Sequence, residues 1–588
     1  MPVTWNSILQ VTIFLVIVLL LTKPVGLYLY KVFNGERTWL SPVIVPVERF
    51  FYRLSGINQE EEQKWTGYIF SLLVFSLVGM LLLYLIERTQ QWHGGLFNPQ
   101  NLPGVEQQLA FNTASSFTTN TNWQNYTGET TMSYLTQMAG LTFHQFVSAA
   151  AGIALAVALT RGLARRSAQH LGNFWVDLVR CTLYILLPIC LVGALVFVSQ
   201  GMIQNFNAYT VVHTLNGQTQ TIAQGPVASM EIIKDLGTNG GGFFNVNSAH
   251  PFENPNALTA MLIILCEITL GAGLFYMFGK WVGNTRQGWV LWIASAILFV
   301  IGLAVVIPAE QVGNPLLSQS FTLNGVTYQG ANQVASDTQA GGNMEGKEVR
   351  YGITVSGLQE ETTTATSTGT VMSFHDSYTP LGGLVLITNI ALGEIIFGGV
   401  GAGLYSMLMF AIIAVFIAGL MVGRTPEYLG KKIERKEIMM AVLALLVSPL
   451  VILGFTGVAM ALPQGLISIS NPGPHGLTEV LYGFTSANGN NGSAFAGLVG
   501  NTPFYNWTLG FAMLIGRFAE LIAILAFGGS LVVKRVVPAG LGTFPTTGPL
   551  FVALLIGVIL IVGALTYFPA YSLGPVVEQL LMQAGKVF

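Results

Sequence analysis

The chain has 588 residues, of which 52% are hydrophobic and only 9% charged, and its formal net charge is -2. A soluble domain carries about a quarter charged residues, so this composition excludes a soluble fold and places the chain in a membrane. The near-neutral charge gives no electrostatic case for a nucleic-acid partner, and Cys181, Cys190 and Cys266 lie within apolar runs, as core residues rather than a disulfide framework.

Runs of about 20 apolar residues, the length that crosses a bilayer, predict ten spans at 8–30, 68–86, 135–159, 174–198, 257–278, 289–307, 384–422, 439–461, 507–531 and 550–568. The first is expected to be a span and not a cleaved signal peptide: no positive charge precedes Lys23 and no small-residue cleavage site follows. After the second span, a half-helix expected at 105–117 leads into Thr119-Asn120-Thr121-Asn122. After the fourth, 227–236 leads into Thr238-Asn239-Gly240-Gly241-Gly242; after the sixth, 352–364 leads into Ser367-Thr368-Gly369-Thr370. After the eighth, 476–486 leads into Asn490-Asn491-Gly492-Ser493. The seventh run is too long for one crossing at about 1.5 Å per residue. It is expected to be two half-helices around a loop, Gly398-Gly399-Val400-Gly401-Ala402-Gly403, that follows Glu394 and blocks the exit; a glycine-rich helix contact is the alternative.

The four polar strings recur at a period of about 120 residues, which indicates internal duplication. The expected fold is an all-α polytopic membrane protein: four pseudo-repeats of helix, pore loop and helix around a central pore, with one extra helix at each end. The units run 1–65, 66–170, 171–286, 287–436, 437–535 and 536–588. Any one Gly-Asn-Thr cluster is ordinary loop composition, but four in register between paired spans read as a cation filter. Non-helical backbone at membrane depth must be buried or line a cavity, and rings of carbonyls replace a cation's water shell. The glycines free the strands to aim carbonyls inward; the first string has none, so the ring is expected to depart from fourfold symmetry. Lys and Arg follow spans one, three, five, seven and nine, whereas the alternate loops hold only Arg88, Lys234, Lys347 and Arg350. The bias of basic residues toward the cytoplasm then puts both termini and the filter mouth outside.

Charges within spans are costly and mark pathways or partners. They are Glu267, Glu394, Arg517 and Glu520, and Arg517 and Glu520 stand three apart, as an ion pair on one helix face would. His250, His375 and His475 read as solvated loop histidines, and Glu129, Asp235, Glu253, Asp376 and Glu479 as mouth charges that set the rate of ion arrival.

The strings Thr119-Asn120-Thr121-Asn122-Trp123-Gln124, Leu236 to Asn245, Phe252-Glu253-Asn254-Pro255, Asn343 to Glu348, Arg424-Thr425-Pro426-Glu427-Tyr428-Leu429-Gly430-Lys431-Lys432 and Asn490 to Gly497 closely resemble the KdpA family, in the superfamily of potassium transporters. Departures are local: Asn488 and Gly489 ahead of the fourth string, Thr368 in place of a familiar Cys, and a longer segment at 316–342. The resemblance implies the potassium-binding subunit of a bacterial, ATP-driven uptake complex in the inner membrane. K+ is its cargo, and its partners are a P-type ATPase subunit (KdpB-like), a periplasm-facing single-span subunit (KdpC-like) and a small single-span peptide (KdpF-like). It implies that Gln124 supports the filter and that Arg517 bars straight passage beneath it; the basic cluster from Arg424 to Lys436 satisfies the positive-inside rule unaided, with anionic lipid or the pump's cytoplasmic domains as the alternative contacts. No Asp-Lys-Thr-Gly-Thr sequence and no Gly-x-x-x-x-Gly-Lys-Ser/Thr loop occurs, so no nucleotide is expected to bind or react here. The alternatives are a stand-alone potassium channel or cation symporter of that superfamily and a non-conducting scaffold.

Overall fold

The computed structural model describes residues 4–336, 339, 341–538, 540 and 543–586. The expectations for the chain ends at 1–3 and 587–588, and for 337, 338 and 340 within the segment 316–342, lie outside the described residues.

Ten helices long and apolar enough to cross a membrane stand where the hydropathy places them: Trp5–Phe33, Trp65–Trp92, Thr136–Ala164, Phe174–Ser199, Ala257–Trp281, Thr285–Val312, Ala402–Val422, Arg435–Ala461, Pro503–Val532 and Pro549–Leu573. The helices run past their apolar cores because polar residues cap them. Asn256 closes a capping box on the fifth span, the Asn173 side chain accepts from the backbone of Trp175 and Val176, and Thr502 accepts from Tyr505 N. The seventh run is broken as expected, into Pro380–Ala391 and Ala402–Val422. Four buried half-helices fall between paired spans: Gln107–Thr118, Val227–Leu236, Gly352–Ala365 and Pro474–Asn488. The chain is an all-α multi-pass membrane protein; its sheets, among the described residues, are three two-stranded hairpins.

Two further helices of nine or more residues lie outside the spans and half-helices among the described residues. Ser41–Ser55 is too short and too charged to register as a span, yet exposes Val43, Val47, Phe50, Phe51 and Leu54, the mark of a helix lying in a membrane interface. Pro575–Gln583 closes the fold against Pro380–Ala391 and Pro474–Asn488.

Burial separates inner from outer spans. The core of the third span is 89% buried and that of the first 17%, so the third belongs to the centre and the first to the periphery. The first span meets the fifth through small residues: a Cβ on Gly26 would stand 2.6 Å from the Gly273 carbonyl oxygen, so the two backbones touch. The basic connections gather on one face. Arg165 pairs with Glu62 at 2.6 Å, Gln63 N donates to Gly172 O, Ser167 N to Lys534 O and Val537 N to Gly430 O. Two cations read as loop charges on the opposite face are interior. Lys234 sits within a half-helix and Lys347 pairs at 2.7 Å with the buried Glu310, because each has carboxylates from other segments to neutralise it.

Candidate functional site

All four half-helices end alike. Thr119, Gly237, Thr366 and Gly489 are the C-caps, near φ -90° to -70° and ψ 0°. Asn120, Thr238, Ser367 and Asn490 follow with φ of 72°, 43°, 53° and 54°. The next amides, Thr121, Asn239, Thr368 and Asn491, then donate five residues back, to Ser116, Lys234, Thr363 and Ser486 at 2.7 to 2.9 Å. This is the Schellman ending, which satisfies the last carbonyls of a helix and turns the chain sharply away. It leaves four helix C-termini, each with about half a negative charge, aimed at one small volume.

The fourth residue of each quarter is again left-handed: Asn122 at 55°, Gly240 at 74°, Gly369 at 86° and Gly492 at 99°. The symmetry departure expected of the glycine-free first string is therefore absent from the backbone. Asparagine tolerates left-handed φ better than other side-chain-bearing residues, and Asn122 takes the glycine's place. The quarters interlock in cyclic order. A Cβ on Gly240 would overlap the Thr368 carbonyl oxygen, one on Gly369 that of Asn491, and one on Gly492 that of Thr121. These are the same carbonyl in successive quarters, so the candidate residues of all four strings meet in one ring.

Side chains brace the ring from behind. Gln124 exchanges two hydrogen bonds with Gly242, at 2.9 and 3.0 Å, and joins the first quarter to the second. Asn120 Nδ2 donates to Thr238 O at 2.8 Å, Asn490 Nδ2 to Thr121 Oγ1 at 3.0 Å and Asn491 Nδ2 to Thr363 O at 2.9 Å. Above the ring a cavity of ≈ 560 Å³ opens, lined by Asn122, Gly241, Gly369 and Gly492, one from each quarter.

The acidic residues expected at the mouth divide. Glu129 is half-buried beside it and accepts from Asn245 N at 2.9 Å; burial pushes its carboxyl above the usual range. Asp235 and Glu253 are instead fully buried behind the strands. Asp235 accepts from Thr370 Oγ1 at 2.8 Å, and Glu253 pairs with Lys234 at 2.9 Å while Lys234 pairs with Glu231 at 2.7 Å. Glu479 is also buried, and Asp376, like Glu129, keeps partial exposure.

The histidines are not solvated loop residues either. His250 stacks on Phe244 at 3.8 Å, and burial pushes its imidazole below the usual value. His375 is buried against Glu360 and reaches Tyr482 OH at 2.7 Å, which continues to Ser493 Oγ at 2.8 Å. His475 is wedged between Asp376 and Glu578. Sequence reading missed Glu231, Lys234, Glu310, Lys347 and Glu360 as buried charges; a position inside a half-helix was a local signal for Glu231, Lys234 and Glu360, whereas Glu310 lies in the last turn of the sixth span and Lys347 outside any helix.

The break in the seventh run, where a blocking loop is expected from sequence, packs directly against the second and third quarters of the ring. Gly399 N donates to Thr366 O at 3.3 Å and Val400 N to Thr238 Oγ1 at 3.2 Å, and a Cβ on Gly399 would overlap Thr238 Oγ1. Gly398 and Gly403 face each other too closely for side chains, and Gly401 packs on Gly152. Left-handed φ at Thr238, Glu394 and Phe397, 43°, 60° and 53°, stores strain where ring and loop meet. Arg517 is buried on the ninth span, one turn past Met513, whose carbonyl accepts from Asn490 Nδ2 at 3.3 Å, and its guanidinium lies with the Val400 carbonyl against Gly152.

The ion pair expected between Arg517 and Glu520 does not form: Arg517 donates to Tyr405 OH at 3.1 Å and Glu520 accepts from Ser406 Oγ at 2.9 Å. Both partners lie on the seventh span, which draws the two side chains off their own helix face. Glu267 accepts from Gln359 Nε2 at 2.7 Å, behind the third quarter. Arg424 is exposed at the end of the seventh span, whereas Lys431 of the same basic cluster is buried, donating to Gly162, Arg165 and Leu531 carbonyls at 2.6 to 2.9 Å.

The model of the KdpA family, described as "Potassium-transporting ATPase A subunit", matches residues 12–580. A protein of Solibacter usitatus named potassium-transporting ATPase potassium-binding subunit is 59% identical over 585 residues, covering 100% of each chain. One of the same name from Brucella anthropi is 56% identical over 586 residues, again with 100% of each covered. The crystal structure of the potassium transporter TrkH from Vibrio parahaemolyticus superposes with a TM-score of 0.50 and 13% identity over 88% of this chain and 98% of that one, a likeness of fold alone.

Proposed function

Because the chain belongs to the KdpA family, we propose that it is the non-catalytic, potassium-binding subunit of a potassium-transporting ATPase, capturing K+ from the outer side of a bacterial inner membrane and passing it to a P-type ATPase subunit. The ring of Thr121, Asn239, Thr368 and Asn491 carbonyls, with the flanking residues of each string, is the filter. Four helix C-termini and neutral carbonyl dipoles favour a dehydrated monovalent cation without a fixed charge that would hold it too tightly. The plug at Gly398 to Gly403 and the Arg517 charge below it oppose straight passage, so the ion leaves sideways toward the pump. Arg424 and the exposed part of its cluster belong to the cytoplasmic contact with pump or lipid, and a periplasm-facing single-span subunit and a small single-span peptide complete the complex. Filter mouth and termini then lie outside, and the four repeats follow the unit boundaries expected from sequence.

The observation that carries this reading is the interlocked ring, in which each glycine sits on the neighbouring quarter's carbonyl. Gly240→Ala drives a methyl into the Thr368 carbonyl and strains a left-handed residue by about 1 to 2 kcal/mol. In competitive ion-binding measurements on the assembled variant, K+ affinity should fall and discrimination against Na+ relax. Unchanged affinity and preference would remove the ring from the pathway.

A further inference from the structure

Beside the mouth, three elements bring one histidine and three carboxylates together. His475 and Glu479 stand four apart on the half-helix Pro474–Asn488 and therefore share one face. Asp376 comes from the short turn His375–Ser377 that follows the third filter strand, and Glu578 from the closing helix Pro575–Gln583. His475 Nε2 lies 3.0 Å from Asp376 Oδ1, and Nδ1 lies 2.7 Å from Glu578 Oε1. Asp376, His475 and Glu479 each offer one ligand atom, all within 4.8 Å of one another. A cavity of ≈ 280 Å³ adjoins the group, lined also by Glu345 and Asn471.

Both ring nitrogens of His475 face carboxylate oxygens, but a neutral imidazole has a single N–H. With Nδ1–H given to Glu578, the Nε2 contact needs a second cation, a proton or a metal. A carboxylate that holds Nδ1–H and turns Nε2 outward is the usual support of a metal-bound histidine. Independently, Glu479 is fully buried, and while its Oε1 accepts from Asn471 Nδ2 at 2.7 Å, its Oε2 has no hydrogen-bond partner among the described residues. A buried carboxylate oxygen left bare is costly and calls for a ligand. Among the described residues the ion pairs of Asp376 and Glu578 run to His475 alone, so three carboxylates face one imidazole with no Lys or Arg to balance them. Donors about 2.0 Å from a tetrahedral ion stand about 3.3 Å apart, which the observed spacing brackets.

The geometry points to a divalent transition-metal site of the Zn²⁺ class, ligated by His475 Nε2, Asp376 and Glu479, with Glu578 as the positioning residue for the imidazole. A nitrogen donor beside two carboxylates suits such an ion better than Ca²⁺ or Mg²⁺, which prefer oxygen shells. The ion would fasten the third quarter's outer turn, the fourth half-helix and the closing helix together.

The test uses the full chain in detergent, stripped with chelator and held at constant K+, then titrated calorimetrically with Zn²⁺ and separately with Ca²⁺. One Zn²⁺ should bind per chain and Ca²⁺ at least about tenfold more weakly, with the Zn²⁺ site lost in His475→Gln. Glu578→Gln should bind Zn²⁺ about 10- to 100-fold more weakly. Wild-type chain loaded with Co²⁺ should show the visible absorption of a four-coordinate site, which reports on the ligands even where His475→Gln fails to fold. A stripped wild type that takes up no stoichiometric Zn²⁺, or a folded His475→Gln variant that binds it like wild type, overturns the site.

Discussion

Asn122 shows how a single residue keeps a fourfold backbone from a sequence that is not fourfold. It is left-handed at φ 55° where the other quarters use glycine, and neither polar atom of its amide has a hydrogen-bond partner among the described residues. Its conformation, not its hydrogen bonding, is what the ring requires. Asn122→Gly should therefore preserve the K+ over Na+ preference, whereas Asn122→Val, which resists positive φ, should lose it; competitive binding on both variants decides, and equal behaviour would refute the register. Behind the second quarter, Lys234 neutralises Glu231 and Glu253, and all three are inaccessible to solvent. Removing one partner of a buried pair costs about 3 to 5 kcal/mol. Glu253→Gln should thus lower thermal stability and yield, measured by melting in detergent, and not act as the salt-screened mouth charge that its sequence position suggests. Glu129→Gln, at the half-exposed mouth, should leave the melting temperature and ion preference alone and cost at most salt-dependent apparent affinity.

Among the elements, the broken seventh run is the part whose chemistry depends most on shape. Its two helices end at Ala391 and resume at Ala402, and the ten residues between them contact Thr238 and Thr366 directly. The plug is built from residues too small to be replaced, since a Cβ on Gly398, Gly399 or Gly403 meets backbone or side-chain atoms at once. The buried Arg517 guanidinium lies with Val400 of this loop against Gly152, and at a separation of about 6 Å a positive charge opposes a cation by about 3 kcal/mol at an effective dielectric of 20. Arg517→Gln should raise uncoupled K+ leak by up to about 100-fold while leaving equilibrium K+ binding at the ring within a few-fold. Liposome flux beside binding measurements separates the two, and a loss of binding with no leak would assign Arg517 to the ring instead.

For the molecule as a whole, plug and charge together mean that the subunit alone should not conduct. Reconstituted without partners under a K+ gradient, it should show no passive flux; robust flux would favour the stand-alone channel reading. The same scale shows what could be read in advance. Hydropathy placed the ten spans and the excessive length of the seventh run, because a bilayer imposes its thickness locally on every segment that crosses it. The polar strings located the half-helix ends to within two residues, since a Schellman ending is written within six residues of the turn it makes. The helix Ser41–Ser55 escaped because its signal is an amphipathic face and not an apolar run. Legible in the chain alone, then, was what neighbouring residues settle: the membrane setting, the ten spans, the fourfold repetition and the strings that form the ring. Which charges are buried together emerges with the packing of distant segments. Lys234 finds Glu253, His375 joins Glu360 to Tyr482, and His475 meets Asp376 and Glu578, across separations of up to 107 residues. Whether a charge ends solvated or neutralised in the interior depends on which distant segment packs against it, and local composition carries no record of that.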